Sequence, residues 1–537
     1  MGDGEIERSA APAVVDEGRR LRPGRGVEIL LVAAVAVAIA GFILHAGHRD
    51  WQLFDLSMVV DSAYRVAIGQ RPTVDFICPL PFGFLALGGL AFKVFGVRWS
   101  ALVDIAALWA VIVFLWQYGL TRRLGASIGW SLGLATACVA VTVAYKSFLY
   151  HSAFTTPLSA IVFTTGLLML RRPRDPLGPV SLAAGGFCLM LGKQNAIPAL
   201  AIVALTLATA RDVRWRALLA IGVAAVFAAL VVGEICGSLG AFAEATLAIA
   251  RARGRPGRSA LRAMMIFRQP WLYWLDWLTV AAAAAPLAFS WRRIRCQPRR
   301  EIALLAGAVI VAALGMATNY DSKIVDLPPL LLAGFMPWAL ASKPLDSVER
   351  ASRYGVAALL AGIAAIGVLA GATRITAKGL GERMEWGIPQ APVTDHGGFF
   401  EGLEAPAQFA KLERDLDRFE VEYHPPKDKV FFGVALEYAY AAHGFVPPQG
   451  LPCWWHPGTS YPSGAEPELL ARFESWRPRY CVFHSYGMTQ NFPESLKQHI
   501  ERNYDRRSLG ELMIFILRAR AQDGKFGRKP AGPGTAR

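Results

Sequence analysis

The stretch FDLSMVVDSAYRVAIGQRPTVDF, residues 54–76, directly follows the first long apolar run, VEILLVAAVAVAIAGFILHAG (27–47). It nevertheless holds Asp55, Asp61 and Asp75, two arginines and a Gly-Gln-Arg-Pro turn. Wound as a helix from Asp55 to Ile68 at about 100° per residue, it sorts into two faces. Leu56, Val59, Val60, Ala63 and Ala67 share one; Asp55, Ser57, Asp61, Ser62 and Arg65 share the other. Such a helix is expected to lie on a membrane surface, ended by Gly69 and Pro72. Asp61 and Arg65, four apart, then read as a solvated ion pair. Asp55 has a structural role to hand as N-cap, and Asp75 as a turn residue.

The membrane follows from the rest of the chain. Of its 537 residues, 54% are hydrophobic, and they come in runs of roughly 15 to 22, enough to cross or nearly cross a bilayer core. The fold class is a multi-pass α-helical membrane protein. The formal charge of +15 comes largely from arginines between apolar runs, which retention on the cytoplasmic side explains; no nucleic-acid partner is expected. The seven cysteines show no zinc spacing. Cys453 and Cys481 fall in a polar region, and whether they pair is open. Residues 1–27 are polar and expected to be disordered, as is the basic tail 521–537. The first apolar run is too long for a signal-peptide core and reads as the first span.

Twelve apolar segments follow one another: 28–46, 80–97, 99–118, 127–145, 148–170, 177–192, 195–210, 217–236, 271–291, 301–318, 326–341 and 354–372. The arginines of the N-terminal tail, of Arg122/Arg123, Arg171/Arg172/Arg174, Arg211/Arg214/Arg216, of the 292–300 linker and of Lys343/Arg350/Arg353 all belong on the cytoplasmic side only if one early segment does not cross. Segment 80–97 opens between prolines, holds four glycines and carries Lys93, which disfavours a span by about 2.5–3.5 kcal/mol. Eleven spans are therefore expected within 28–372, with 80–97 re-entrant or on the outer surface, in a first external loop of about 47–98. The loop 237–270, with Arg255 and Arg258 among its six arginines, falls outside. Residues 373–520 change character and are expected to form a small extracytoplasmic α/β domain, with strands in DKVFFGV, RPRYCVFHS and GELMIFILRA and a helix in ALEYAYAAHG.

An Asp just after the first span, a Gly fourteen residues on, Pro-x-x-Asp-Phe and a proline-led apolar segment ending in Phe-Gly form a recurring layout. It resembles the membrane glycosyltransferases of the GT-C fold, the superfamily of dolichyl-phosphate-mannose protein mannosyltransferases and bacterial aminoarabinose transferases. The residues here are Asp55, Gly69, Pro72, Asp75, Phe76, Pro79, Pro81, Phe95 and Gly96. The family often has Tyr after the first proline, where this chain has Thr73. GKQNA (192–196) and NYDSKIVDLPPLLL (319–332) add looser matches.

The resemblance implies an inverting sugar transfer from a polyprenyl-phosphate donor to a glycan, lipid or protein acceptor, at the outer face of a bacterial cytoplasmic membrane. Asp55 would be the general base, with Asp75 a second carboxylate. Lys193 suits the donor phosphate or snorkels to the interface. Gln194 and Asn195 would bond sugar hydroxyls or cap helix ends. His151, Tyr320 and Lys323 are candidate pocket wall, or an interfacial histidine and a local turn; Arg255 and Arg258 would hold the donor phosphate or lipid headgroups. The second external loop, AYKSFLYHSAFTT, lacks the acidic residue many family members carry there, so no cofactor is assigned and a divalent cation stays open. Trp454, Trp455, His456 and Tyr461 are expected to pack in a core or at the interface, or to contact acceptor. The rival function is a transporter or flippase of a lipid-linked saccharide; inverted repeats and polar groups at the bilayer midplane would mark it, whereas here the polar residues gather at one surface.

Overall fold

The computed structural model describes residues 24–518, apart from 50, 52, 79, 144–147, 241, 245–246, 248–273, 296, 319–325, 342–346, 374–389, 394–397, 458–459, 462 and 486–491. Each apolar segment becomes a helix, since apolar surroundings offer the backbone no other partner than itself. The helices are α1 (Arg25–Gly47), α2 (Leu53–Ala67), α3 (Phe82–Phe95), α4 (Trp99–Leu124), α5 (Ile128–Val143), α6 (His151–Arg171), α7 (Leu177–Met190), α8 (Ile197–Ala208), α9 (Arg214–Cys236), α10 (Trp274–Arg295), α11 (Arg299–Thr318), α12 (Pro328–Ala339) and α13 (Ser347–Thr373). Among the described residues five are long and apolar enough to cross a membrane: α1, α4, α6, α9 and the 351–368 part of α13.

Contacts at the helix ends give the order. Arg122 and Tyr118, near the end of α4, both donate to Glu28 at the start of α1, at 2.8 and 2.6 Å. At the opposite end the Trp99 indole donates to the Gly47 carbonyl at 3.0 Å. Helices α1 and α4 are thus antiparallel neighbours, and residues 48–98 leave and return at one end. The 14 residues of α3 span only about 21 Å. Its glycines do not break it. They let it approach α2: a Cβ on Gly89 would meet Val66 Cγ1 at 2.5 Å, and one on Gly88 would meet the Ala63 Cβ at 2.9 Å.

The arginine-bearing linkers meet at the other end. Arg171 donates to Glu301 at 2.7 Å and to Gln297 at 2.8 Å, Arg123 pairs with Asp175 at 3.7 Å, and Arg300 donates to the Thr209 carbonyl at 2.6 Å. Helix α13 runs parallel to α5, with Leu360 against Gly133 and Ala140 against Gly367.

The C-terminal part carries a four-stranded sheet, and β1 (Gln390–Pro392) and β2 (Glu404–Pro406) form a separate short ladder. The strands β3 (Val430–Phe432), β4 (Tyr480–His484), β5 (Tyr504–Leu509) and β6 (Leu512–Leu517) lie in the order β3–β4–β6–β5, β3 parallel to β4 and the other pairs antiparallel. Helices α14 (Ala407–Tyr423), α15 (Ala439–Ala442), α16 (Glu466–Trp476) and α17 (Glu494–Asn503) flank it. Only four residues of ALEYAYAAHG are helical. Strand β5 is an edge strand of mostly exposed polar residues, which is why its pattern carries no strand signal. The β5–β6 turn needs Gly510: φ is 56° and a Cβ would strike the Asp415 carboxylate, whose Oδ2 accepts the Glu511 N–H at 2.8 Å.

Candidate functional site

Helix α2 does not lie with its polar face in water. Ser57, Asp61, Ser62 and Arg65 are buried, as are Leu56, Val59, Val60 and Ala63. The apolar face meets α3, and the C-terminal part covers the polar face. Ser57 Oγ donates to Glu437 at 2.6 Å and accepts the Tyr438 N–H at 3.0 Å. Arg65 donates to Asp61 at 2.8 Å, to the Pro448 carbonyl at 2.7 Å and to Gln70 at 3.2 Å, and its guanidinium lies over the Phe76 and Tyr440 rings. The expected solvated pair is therefore a buried one. Burial pushes the Asp61 carboxyl up to about 6 against the pull of Arg65, and the Glu437 carboxyl up to about 8 despite its bond from Ser57.

Helix α2 begins at Leu53, so Asp55 stands in its first turn and is not its N-cap. The side chain of Asp55 lies outside the described residues. Four positions earlier, Trp51 is buried against Trp99, Phe400, Phe409 and Tyr438. The start of α2 thus abuts both the start of α4 and the C-terminal part.

Asp75 closes the loop 71–76. Its Oδ2 accepts the Arg71 N–H at 2.7 Å and sits 3.7 Å from the Arg71 guanidinium, and its own carbonyl accepts the Gly450 N–H at 2.6 Å. Inside the loop Thr73 takes φ 68°, uncommon for a β-branched residue, and its N–H donates to the Phe76 carbonyl at 2.8 Å. The loop rests on the end of α9: a Cβ on Gly237 would lie 3.1 Å from Arg71.

His151 and the Lys193 turn come together here. The Lys193 N–H donates to Thr155 Oγ1 at 3.0 Å, and Thr155 Oγ1 donates to the His151 carbonyl at 2.9 Å. The Gly83 N–H, at the start of α3, donates to the Leu191 carbonyl at 2.8 Å. Phe84 meets the His151 ring edge-on at 6.3 Å, and Tyr150 tilts over it at 4.2 Å. Rings continue from Tyr150 through Phe148 to Trp99 and Trp51. Gln194 is exposed and Asn195 half-buried, in a 3-10 turn that packs on α11. An apolar crevice opens beside this cluster, lined by Ile43, Trp109, Val139, Tyr150, Phe154 and Pro157 among others.

Tyr320, Lys323, Arg255 and Arg258 lie outside the described residues. Trp455 and Tyr461 are core residues packed with Phe431 and Phe492, while Trp454 and His456 are half-buried and pack on each other. Cys453 and Cys481 are both free and belong to different buried clusters. Sequence reasoning quoted the NYDSKIVDLPPLLL stretch but did not single out Asp326, a buried carboxylate ahead of α12 that fills the space beside Gly315 of α11. Among the described residues no three His, Cys, Asp or Glu gather as a metal site.

No protein-family model matches the chain, and no curated protein does. Among solved structures it is similar to ArnT from Cupriavidus metallidurans bound to undecaprenyl phosphate, with 13% identity and a TM-score of 0.49 over 92% of this chain and 99% of that one. It is also similar to the same protein in the apo state, with 12% identity and a TM-score of 0.47 over 91% and 98%.

Proposed function

We propose that the chain is an inverting glycosyltransferase of the GT-C kind, with eleven spans, working at the outer face of a bacterial cytoplasmic membrane. It moves one sugar from a polyprenyl-phosphate donor to an acceptor hydroxyl. The observation that carries this reading is that His151 and the Lys193 turn meet through Thr155 at the end of the bundle opposite the arginine linkers, the same end at which the segment bearing Asp55 and Asp75 leaves α1 and returns to α4. Polar and ionisable groups at a membrane are costly and usually functional.

In this mechanism Asp55 accepts the proton of the acceptor hydroxyl as its oxygen attacks the anomeric carbon. The phosphate leaves from the opposite face, so the anomeric configuration inverts. A phosphate leaves as a weak base, and no strong general acid is required. Lys193 holds the leaving phosphate as a point charge, Gln194 and Asn195 meet sugar hydroxyls, and Asp75 orients the acceptor through the loop it closes.

The test is transfer of a radiolabelled sugar from a polyprenyl-phosphate donor by the purified protein in detergent, over a panel of acceptors. Movement of intact donor across a sealed vesicle, with no sugar transferred, would replace this reading with that of a flippase.

A further inference from the structure

Cys78 follows the loop that carries Asp75, and Cys453 opens the Cys-Trp-Trp-His run of the C-terminal part. The two are brought together by backbone. Ile77 and Pro452 form a parallel bridge, with the Ile77 N–H donating to the Leu451 carbonyl at 3.3 Å and the Cys453 N–H to the Ile77 carbonyl at 3.0 Å. Cys78 and Cys453 are the next residues on each side of that bridge. They face each other across two strand-like segments on a common side. That spacing falls within the Cα separation a disulfide accepts. Burial raises the Cys453 thiol's pKa and the nearby Cys78 thiol adds to that rise, and both side chains are buried.

We infer that Cys78 and Cys453 form a disulfide in the mature protein, clipping the first external loop to the C-terminal part. The inference rests on the outer placement proposed above, because disulfides persist where the compartment is oxidising. Both thiols lose their protons and together give up two electrons. The S–S bond forms by exchange with a disulfide-bearing oxidant of that compartment, whose own S–S bond is reduced to two thiols through a mixed disulfide. Exchange needs a thiolate, and both groups are shielded in the folded chain, so the bond forms during folding, before the C-terminal part closes over α2. The bridge holds the loop of Asp75, whose carbonyl already accepts from Gly450, in one position against the C-terminal part.

The experiment counts thiols in full-length protein purified from membranes and denatured with a mass-tagging maleimide, with and without prior reduction. Five of the seven cysteines should tag without reductant and seven after it, and a linked 78–453 peptide should appear in a non-reducing digest. Cys78→Ala should expose one further thiol, that of Cys453, without reductant. Seven tags without reductant would overturn the inference. A Glu468→Cys variant, at a position 64% exposed, labelled with an impermeant maleimide in spheroplasts, reports the sidedness separately. Labelling there together with seven free thiols sinks the disulfide alone. No labelling there together with seven free thiols sinks both.

Discussion

Arg65 and Asp61 meet at 2.8 Å with both side chains out of solvent, 1% and 0% exposed. An i,i+4 pair on a membrane-surface helix would be worth a few tenths of a kcal/mol. Here the guanidinium also bonds the Pro448 carbonyl and Gln70, which in turn donates to the Pro447 carbonyl at 3.0 Å. The pair is the polar centre of the contact between α2 and the C-terminal part.

Arg65→Met is accordingly expected to destabilise by about 3–5 kcal/mol, since it strands a buried carboxylate and a carbonyl. The double variant Asp61→Leu with Arg65→Met should recover much of that loss. Thermal melting in detergent measures both. A single-variant loss below about 1 kcal/mol would mean that the polar face of α2 is hydrated after all.

Alkaline pH should weaken the C-terminal part. His443 is buried among Glu413 at 3.4 Å, Glu420 at 3.5 Å and Asp417 at 3.8 Å. Burial pulls its pKa down, but the neighbouring Glu413, Glu420 and Asp417 carboxylates outweigh this and lift it to about 9. A raised pKa means stability fully present below the unfolded value of about 6.5 and lost as pH rises through about 9, on the order of 3 kcal/mol. Glu437 has the same sign, its loss developing between about 4.5 and 8 because burial lifts its carboxyl to about 8. Melting temperature should fall between pH 7 and 9.5, and His443→Gln should flatten the upper part of that slope. An unchanged slope in the variant would remove His443 as its source.

Lys193→Ala should weaken donor binding, with Arg restoring it in part and Gln poorly, while the fold stays intact. The Lys193 N–H bond to Thr155 is made by the backbone and survives the substitution. Direct titration with a polyprenyl phosphate measures it. Unchanged affinity would leave Lys193 as an interfacial side chain.

The helices were legible because an apolar run has only one way to satisfy its backbone, and the arginines marked which linkers share an end. Arg171 and Glu301, 130 positions apart, meet where that rule puts them. The surroundings of α2 were not legible, because the groups that bury Ser57 and Arg65 are Glu437 and Pro448, some 380 positions away. A period of 3.6 reports which residues share a face, not what covers it. The amphipathic α14 went unread although Phe409, Leu412, Leu416 and Phe419, all buried, recur at helical spacing, whereas β5 offers only Tyr504 and Leu509 as buried ends to a polar run. The meeting of His151 with the Lys193 turn depends on Thr155, a residue no motif singles out.

The last prediction separates chemistry from architecture at Asp55. With α2 starting at Leu53, Asp55 is not the cap, and its structural worth is that of a carboxylate in a helix's first turn, about 0.3–1 kcal/mol. Asp55→Asn keeps the size and loses only that. If Asp55 accepts the acceptor proton, the amide should lower single-turnover transfer by on the order of 10²–10⁴, with donor binding and melting temperature close to the parent. Asp75→Asn provides the contrast. Its amide oxygen can still accept the Arg71 N–H, and the partner guanidinium is half exposed, so the loop should persist and any fall in rate reports an interaction with acceptor. Asp61→Asn leaves an arginine buried beside neutral groups, and should lower stability rather than rate per folded molecule. Parent-like single-turnover transfer in purified Asp55→Asn would take the base out of the first turn of α2. Asp326, the buried carboxylate ahead of α12, would then be the next to test in the same assay.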